Sequence, residues 1–125
     1  MTDPLKLSAA ELGHAFEINQ SDPVEVVEAF FDSIQESKLK NRIYVTLTKA
    51  RAVSEAEDSR KRQRQNLRLG PLDGVPVSWK DLFDVAGYET NAGSNLLKGR
   101  ASKNDCSALK NASMNGLVTL GKTHM

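Results

Sequence analysis

Gly70-Pro71-Leu72-Asp73-Gly74-Val75-Pro76-Val77-Ser78-Trp79-Lys80-Asp81-Leu82-Phe83-Asp84-Val85-Ala86-Gly87 is the stretch on which the reading of this chain turns. Its first five residues are turn chemistry, glycine and proline at both ends of an aspartate. Val75 to Trp79 then reads as a buried strand. Pro76 complicates that strand, because proline cannot donate to a sheet ladder and suits a first position or an edge. Lys80 follows directly, so a charged side chain emerges at the C-terminal end of an apolar strand, where α/β sheets place their functional groups. A lysine held in an apolar site has its pKa depressed, and a neutral amine can act as a base. The plainer alternative is a lysine that reaches solvent or pairs with Asp81 or Asp84, and composition alone favours it.

Upstream of the turn the chain is helical. Ser8-Ala9-Ala10-Glu11 is a capping box, and the helix behind it puts Leu12, Ala15 and Phe16 on its apolar side. Asp22-Pro23-Val24-Glu25 repeats the logic with proline in the first helical position. Val27, Phe30, Phe31 and Ile34 then fall at i, i+3, i+4 and i+7, one buried stripe of an amphipathic helix. Ile43 to Leu47 is short, β-branched and alternating, a strand. From Lys49 to about Gln65 charge dominates and the apolar positions thin to Ala50, Val53 and Ala56, which predicts a mostly exposed helix lying over another element.

Downstream, glycines at 87, 93 and 99 make a loop, and Asn104 or Asp105 is positioned to cap a helix through Ala108, Leu109 and Ala112 that stops at Gly116. Leu117 to Leu120 is a second β-prone run. Helices first, then strand, loop, helix and strand, predict an α/β fold with a parallel pair.

Composition narrows the function classes. The 125 residues are 39% hydrophobic, enough for one domain with a modest core. Lys and Arg number 17 against 16 Asp and Glu, a net charge of +1, so the clustered positive charge that nucleic-acid binding needs is missing. The one basic run, Arg60-Lys61-Arg62 with Arg64, follows Glu55, Glu57 and Asp58 and reads as a solvated helix end. Cys106 is the lone cysteine, so no internal disulfide can form. No stretch approaches the roughly 18 apolar residues of a membrane span, and the start, Met1-Thr2-Asp3-Pro4-Leu5-Lys6, lacks the features of a signal peptide. A soluble, cytoplasmic protein is the expectation. His14 and His124 have no carboxylate or cysteine at ligand spacing, so no metal and no cofactor are expected. Cys106 reads as a small buried residue on its helix, and Trp79 as core.

Gly116-Leu117-Val118-Thr119-Leu120-Gly121-Lys122-Thr123 satisfies G-x-x-x-x-G-K-S/T, the phosphate-binding loop. That loop must follow a strand and open a helix. Here the four intervening residues are themselves the strand candidate, which argues against nucleotide binding.

Residues 70–87 resemble the segment around the catalytic lysine of the amidase-signature family, in which G-P-L-x-G-I/V-P-x-x-x-K-D leads into a D-x-x-G turn. Thr90-Asn91-Ala92-Gly93-Ser94 is similar to the T-x-A-G-S stretch that follows, and Asp105 matches the acidic residue opening the next helix. Gly116 with Leu120-Gly121-Lys122-Thr123 matches A-G-A-x-x-x-G-K-T-N, with His124 in place of asparagine. Ala112 replaces a larger apolar residue, and the first 60 residues agree in pattern.

The resemblance implies an incomplete α/β fold, N-terminal helices followed by the first strands of the family's mixed sheet, over one partial domain (1–125) with no second domain. It also implies acyl transfer by a Ser–cis-Ser–Lys triad, with Lys80 as the lysine and a carboxylic amide as the small-molecule substrate. Ser78, Ser94, Ser102, Ser107 and Ser113 lack the family's Gly/Ser-rich context, so the triad's serines are expected beyond residue 125 and the chain alone is expected to be inactive. Alternatives are the amidase subunit of a glutamine-dependent tRNA amidotransferase, or an inactive remnant or interaction module. A homo-oligomer or an amidotransferase partner subunit is the company such an enzyme keeps. Both strands would be central in the family sheet and would leave apolar edges exposed here. The chain on its own is therefore expected to self-associate or to be poorly soluble. Light scattering on a size-exclusion column checks this, and a monodisperse monomer with a cooperative melt contradicts it.

Overall fold

The structure is a computed structural model and describes residues 3–125. The reading of the N-terminus as leaderless rests partly on residues 1–2 and lies outside the described residues. Helix α1 (Ala9–Glu17) starts on the expected capping box: Ser8 Oγ accepts from Glu11 N at 3.1 Å and Glu11 Oε1 accepts from Ser8 N at 2.9 Å. Helix α2 (Pro23–Glu36) starts on Asp22, whose carboxylate accepts the amides of Val24 and Glu25. A short helix α3 (Lys40–Ile43) leads into strand β1 (Tyr44–Leu47), and α4 (Lys49–Arg64) follows. Strands β2 (Pro76–Lys80) and β3 (Val118–Thr123) flank the last helix, α5 (Ser107–Met114).

The three strands form one mixed sheet in the order β1-β3-β2. The expected parallel pair is β2 with β3, running from Pro76 opposite Val118 to Lys80 opposite Thr123. β1 pairs antiparallel on the other side of β3, Leu47 opposite Gly121. The α/β expectation therefore holds. β2 is only half-buried rather than buried, because β3 covers just one of its edges; Pro76 takes its first position, where a missing amide matters least.

Helices α2 and α4 cover the sheet through Val24, Val27, Phe31, Ala52, Ala56, Val118 and Leu120. Alanines at 52 and 56 have no exposed surface, and their small side chains let α4 lie close on β3. Thr48 leaves the amides of α4 without a side-chain cap, because its hydroxyl donates instead to Thr119 O at 2.7 Å. A second cluster, Leu12, Phe16, Val26 and Val75, fastens α1 over the turn that precedes β2. Gln63 on α4 closes the remaining gap: its amide donates to Phe16 O and Ser21 O, both at 2.8 Å.

Three expected details change. The N-cap of α5 is Cys106, not Asn104 or Asp105, and Cys106 is half-buried rather than core. Asp105 cannot cap because Arg51 holds its carboxylate in a two-pronged bond of 2.7 and 2.9 Å. The basic run is also not uniformly solvated. Arg62 turns inward to Asp73, with Nε at 2.8 Å and Nη2 at 2.7 Å, while Arg60 reaches Asp22 at 3.8 Å.

Gly116 ends α5 as expected, at φ +86°. Its amide donates to Ser113 O and that of Leu117 to Ala112 O, the paired bonds of a left-handed helix stop. A Cβ there would lie 2.6 Å from Asp73 Cγ and 3.0 Å from Asp73 Cα, on a carboxylate already clamped by other donors. Left-handed strain and overpacking each cost about 1–3 kcal/mol. Gly116→Ala is expected to lower stability by roughly 2–6 kcal/mol, measured by urea unfolding at low protein concentration.

Candidate active site

Lys80 is the last residue of β2, and it is exposed. Of the plainer alternative, the solvent-reaching lysine is the arm the structure shows: among the described residues no carboxylate lies within ion-pairing distance of Lys80, so neither Asp81 nor Asp84 is its partner. Its backbone is firmly held. Lys80 O accepts from Phe83 N at 3.1 Å, and Asp81 N donates to Thr123 O at 2.9 Å, one step past the end of the ladder.

Behind Lys80 sits Trp79, half-buried rather than core, its ring edge-on to Phe83 with centroids 5.6 Å apart. Its indole Nε1 is buried without an acceptor. Ser78, two residues before Lys80 on β2, bonds the Tyr44 hydroxyl at 2.6 Å. Tyr44 reaches it across β3 at Gly121, where an added Cβ would come within 3.2 Å of Tyr44 Cδ1. Of the other serines, Ser102 donates to Asp84 at 3.0 Å, Ser113 accepts from Arg51, and Ser94 caps the turn at Leu96. No serine–serine–lysine constellation forms among the described residues.

Asp81 is buried and pairs with Lys122 rather than with Lys80. Its Oδ1 lies 2.9 Å from Lys122 Nζ as an ion pair rather than an aligned hydrogen bond, and Oδ2 accepts from Asn91 N at 3.3 Å. Lys122, wholly buried, also donates to Glu89 O at 2.7 Å and Thr90 Oγ1 at 2.8 Å. This disposes of the phosphate-loop match: Gly121, Lys122 and Thr123 lie in β3, and the lysine is engaged inside the protein. Sequence reasoning missed this pair because its two members lie far apart in the chain and only the fold joins them.

The loop of residues 84–105 is closed by the Glu89–Ala101 bridge and by Asp105, which accepts from Ala86 N at 2.8 Å. A recess of about 280 Å³ beside it is lined by Val45, Asp81, Asn91, Ser94, Lys98 and His124. A larger concavity of about 820 Å³ opens between α1 and the start of α2 and includes no residue of β2. His14 faces Glu17 at 3.7 Å and His124 faces Asn41 O at 3.1 Å, both at the surface. Among the described residues no group of three or more His, Cys, Asp or Glu is placed to hold a metal ion.

The comparisons with known proteins match this architecture. The family model described as Amidase covers residues 25–125. The chain belongs to the amidase family. It is 37% identical over 125 residues to a glutamyl-tRNA(Gln) amidotransferase subunit of Thermobifida fusca, covering 100% of this chain and 25% of that relative. The corresponding mitochondrial amidotransferase subunit of Ornithorhynchus anatinus is 36% identical over 121 residues, 97% of this chain and 23% of that protein. Among solved structures, the native peptide amidase of Stenotrophomonas maltophilia superposes with a TM-score of 0.85 at 26% identity, covering 94% of this chain and 24% of that one. A bacterial aryl acylamidase of the amidase-signature enzymes superposes at 0.80 with 28% identity, covering 94% and 25%. The chain thus spans about a quarter of the length of the relatives it matches.

Three carboxylates that arginines engage contribute to the response to acid. Burial works to raise the pKa of Asp73, but Arg62, the Leu69 amide and the Ser59 hydroxyl outweigh it and hold it below the usual range. Asp105 is lowered, first by Arg51 and also by the Ala86 amide. Glu55 is raised, first by its burial, although Thr119 N and Arg51 both bind it. Lowered carboxylates contribute stability that is present above their unfolded pKa of about 3.9 and is lost as pH falls through the folded value. Glu55 acts with the opposite sign, its contribution being lost as pH rises through its folded value, and it offsets part of the loss. Urea midpoints are expected to fall between about pH 5 and pH 3. Asp73→Asn is expected to cost roughly 3 kcal/mol at neutral pH and to make that acid limb shallower.

Proposed function

We propose that this chain is the lysine-bearing segment of an amidase, one partial domain that hydrolyses a carboxylic amide together with the remaining part of the family fold. The observation that carries the reading is the position of Lys80: the end of a strand, beside a parallel neighbour, inside the family's long ordered motif. In the reaction a serine hydroxyl adds to the amide carbonyl carbon. Its proton passes to the bridging cis-serine, whose own proton is taken by the lysine amine. Collapse of the tetrahedral intermediate breaks the C–N bond as the proton returns to the leaving nitrogen, and water then frees the acid from the acyl-serine. The amine must be neutral to accept a proton, and desolvation favours that form. Covering the exposed Lys80 is a task for the part of the fold that brings the serines. No helix among the described residues is long and apolar enough to cross a membrane, and a cytoplasmic enzyme without a cofactor or nucleic-acid partner remains the proposal.

The amidase subunit of a glutamine-dependent tRNA amidotransferase is the second reading, favoured by glutamyl-tRNA(Gln) amidotransferase relatives at 32–37% identity. It requires glutaminase activity and co-purification with partner subunits, whereas an enzyme active alone on simple amides argues against it.

Two measurements test the main reading. The reading frame after codon 125 must carry a Gly/Ser-rich stretch, and an immediate stop removes the activity. In the protein that includes that stretch, Lys80→Ala is expected to lower the rate of ammonia release from primary amides by ~10²–10⁴-fold. Near-wild-type hydrolysis would sink the assignment.

A further inference from the structure

We infer that the buried Asp81–Lys122 pair is a positioning device for Lys80, an inference that rests on the amidase reading above. Lys122 has no exposed surface and Asp81 is 3% exposed, so both charges have been taken out of water. Burying an ion pair is a poor way to gain stability alone, because apolar residues of similar volume often serve as well or better. The geometry supplies another reason for its presence.

An ammonium has three protons. Lys122 Nζ faces three oxygens: Asp81 Oδ1 at 2.9 Å as an ion pair, and Glu89 O at 2.7 Å and Thr90 Oγ1 at 2.8 Å as hydrogen-bond acceptors. The first belongs to the residue bonded covalently to Lys80, and the other two to the loop beyond it. Beyond that ion pair, Asp81 is tied through both backbone groups and its other carboxylate oxygen. Its amide donates to Thr123 O at 2.9 Å, its carbonyl accepts from Ala92 N at 2.8 Å, and Oδ2 accepts from Asn91 N at 3.3 Å. The peptide that sets the departure of Lys80 from the strand is thereby joined to β3 and to the loop of residues 89–92 at once. That loop holds Ala92 at φ +48°, a conformation unfavourable to a residue with a Cβ and kept only where the surroundings over-determine it. A side chain that must take a proton in a fixed geometry gains from such a mount, since misplacement by about 1 Å can cost on the order of 10²-fold in rate.

The test uses the protein that carries the serine-bearing segment, with ammonia release from a primary amide as readout. Lys122→Met leaves Asp81 as a lone buried charge; Asp81→Asn combined with Lys122→Met removes both charges. If the pair positions Lys80, the double variant regains most of the Tm lost by Lys122→Met alone, while kcat stays roughly 10- to 100-fold down and KM moves less than about threefold. Recovery of kcat together with Tm shows a purely structural pair and overturns the inference. Asp81→Glu serves if the neutral pair does not fold: it keeps the charge and displaces the carboxylate by one methylene. A lowered kcat at constant KM supports the inference there, and wild-type kcat overturns it. Lys80→Ala separates the two levels. Full activity in that variant removes the role of Lys80 as the base on which the inference rests, whereas an inactive Lys80→Ala beside fully active pair variants removes only the positioning role.

Discussion

One buried carboxylate, Asp73, organises the route of the chain into the site. It accepts from Ser59 Oγ at 2.7 Å, from Arg62 at 2.7 and 2.8 Å, and from Leu69 N at 2.9 Å. Those donors come from α4 and from the segment before the turn, so the charge pins the turn of residues 70–74 against the helix. Gly116 packs on the other side of the same residue, and Gly74 N donates to Gly116 O at 2.8 Å. The starts of β2 and β3 are therefore fixed together, and the ladder from Pro76 and Val118 runs out to Lys80 and Thr123. A proton on Asp73 would weaken a helix contact, a turn and a strand entry in one event.

The local half of this architecture was legible in the sequence. Capping residues act within three positions, so Ser8 with Glu11 and Asp22 with Pro23 announced their helices, and the spacing of Val27, Phe31 and Ile34 announced the buried face of α2. The turn and strand leading to Lys80 were equally plain. Long-range bonds were not. Arg62 looked like part of a solvated basic run because its partner is 11 positions away, and Asp105 looked like a cap because Arg51 is 54 away. Lys122 was the sharpest case. Its neighbours in sequence spell a phosphate loop, while its neighbours in space are Asp81, Glu89 and Thr90. The antiparallel pairing of β1 had no local sign at all.

The same division runs through the surroundings of Lys80. A strand end, a turn and a braced loop are made from residues within one stretch of chain, and they give Lys80 a rigid base. A dry environment for its amine needs surface from elsewhere. Lys80 is exposed, Trp79 Nε1 and Asn91 Oδ1 are buried without partners, and Leu96 is 94% exposed on the neighbouring loop. Rigidity and desolvation are separate contributions to a basic group, and among the described residues Lys80 has a fixed backbone and an exposed side chain.

The sheet order β1-β3-β2 puts in the middle the strand that comes latest in sequence of the three. On a ribosome, β1 and β2 emerge without any sheet partner and wait for residues 118–123 before a single ladder bond can form. Until then the nascent chain has only helices and two unpaired strands, the kind of exposed edge that chaperones bind. Both pairings of these three strands therefore form in one step, and a single cut that releases residues 118–123 would undo the two together.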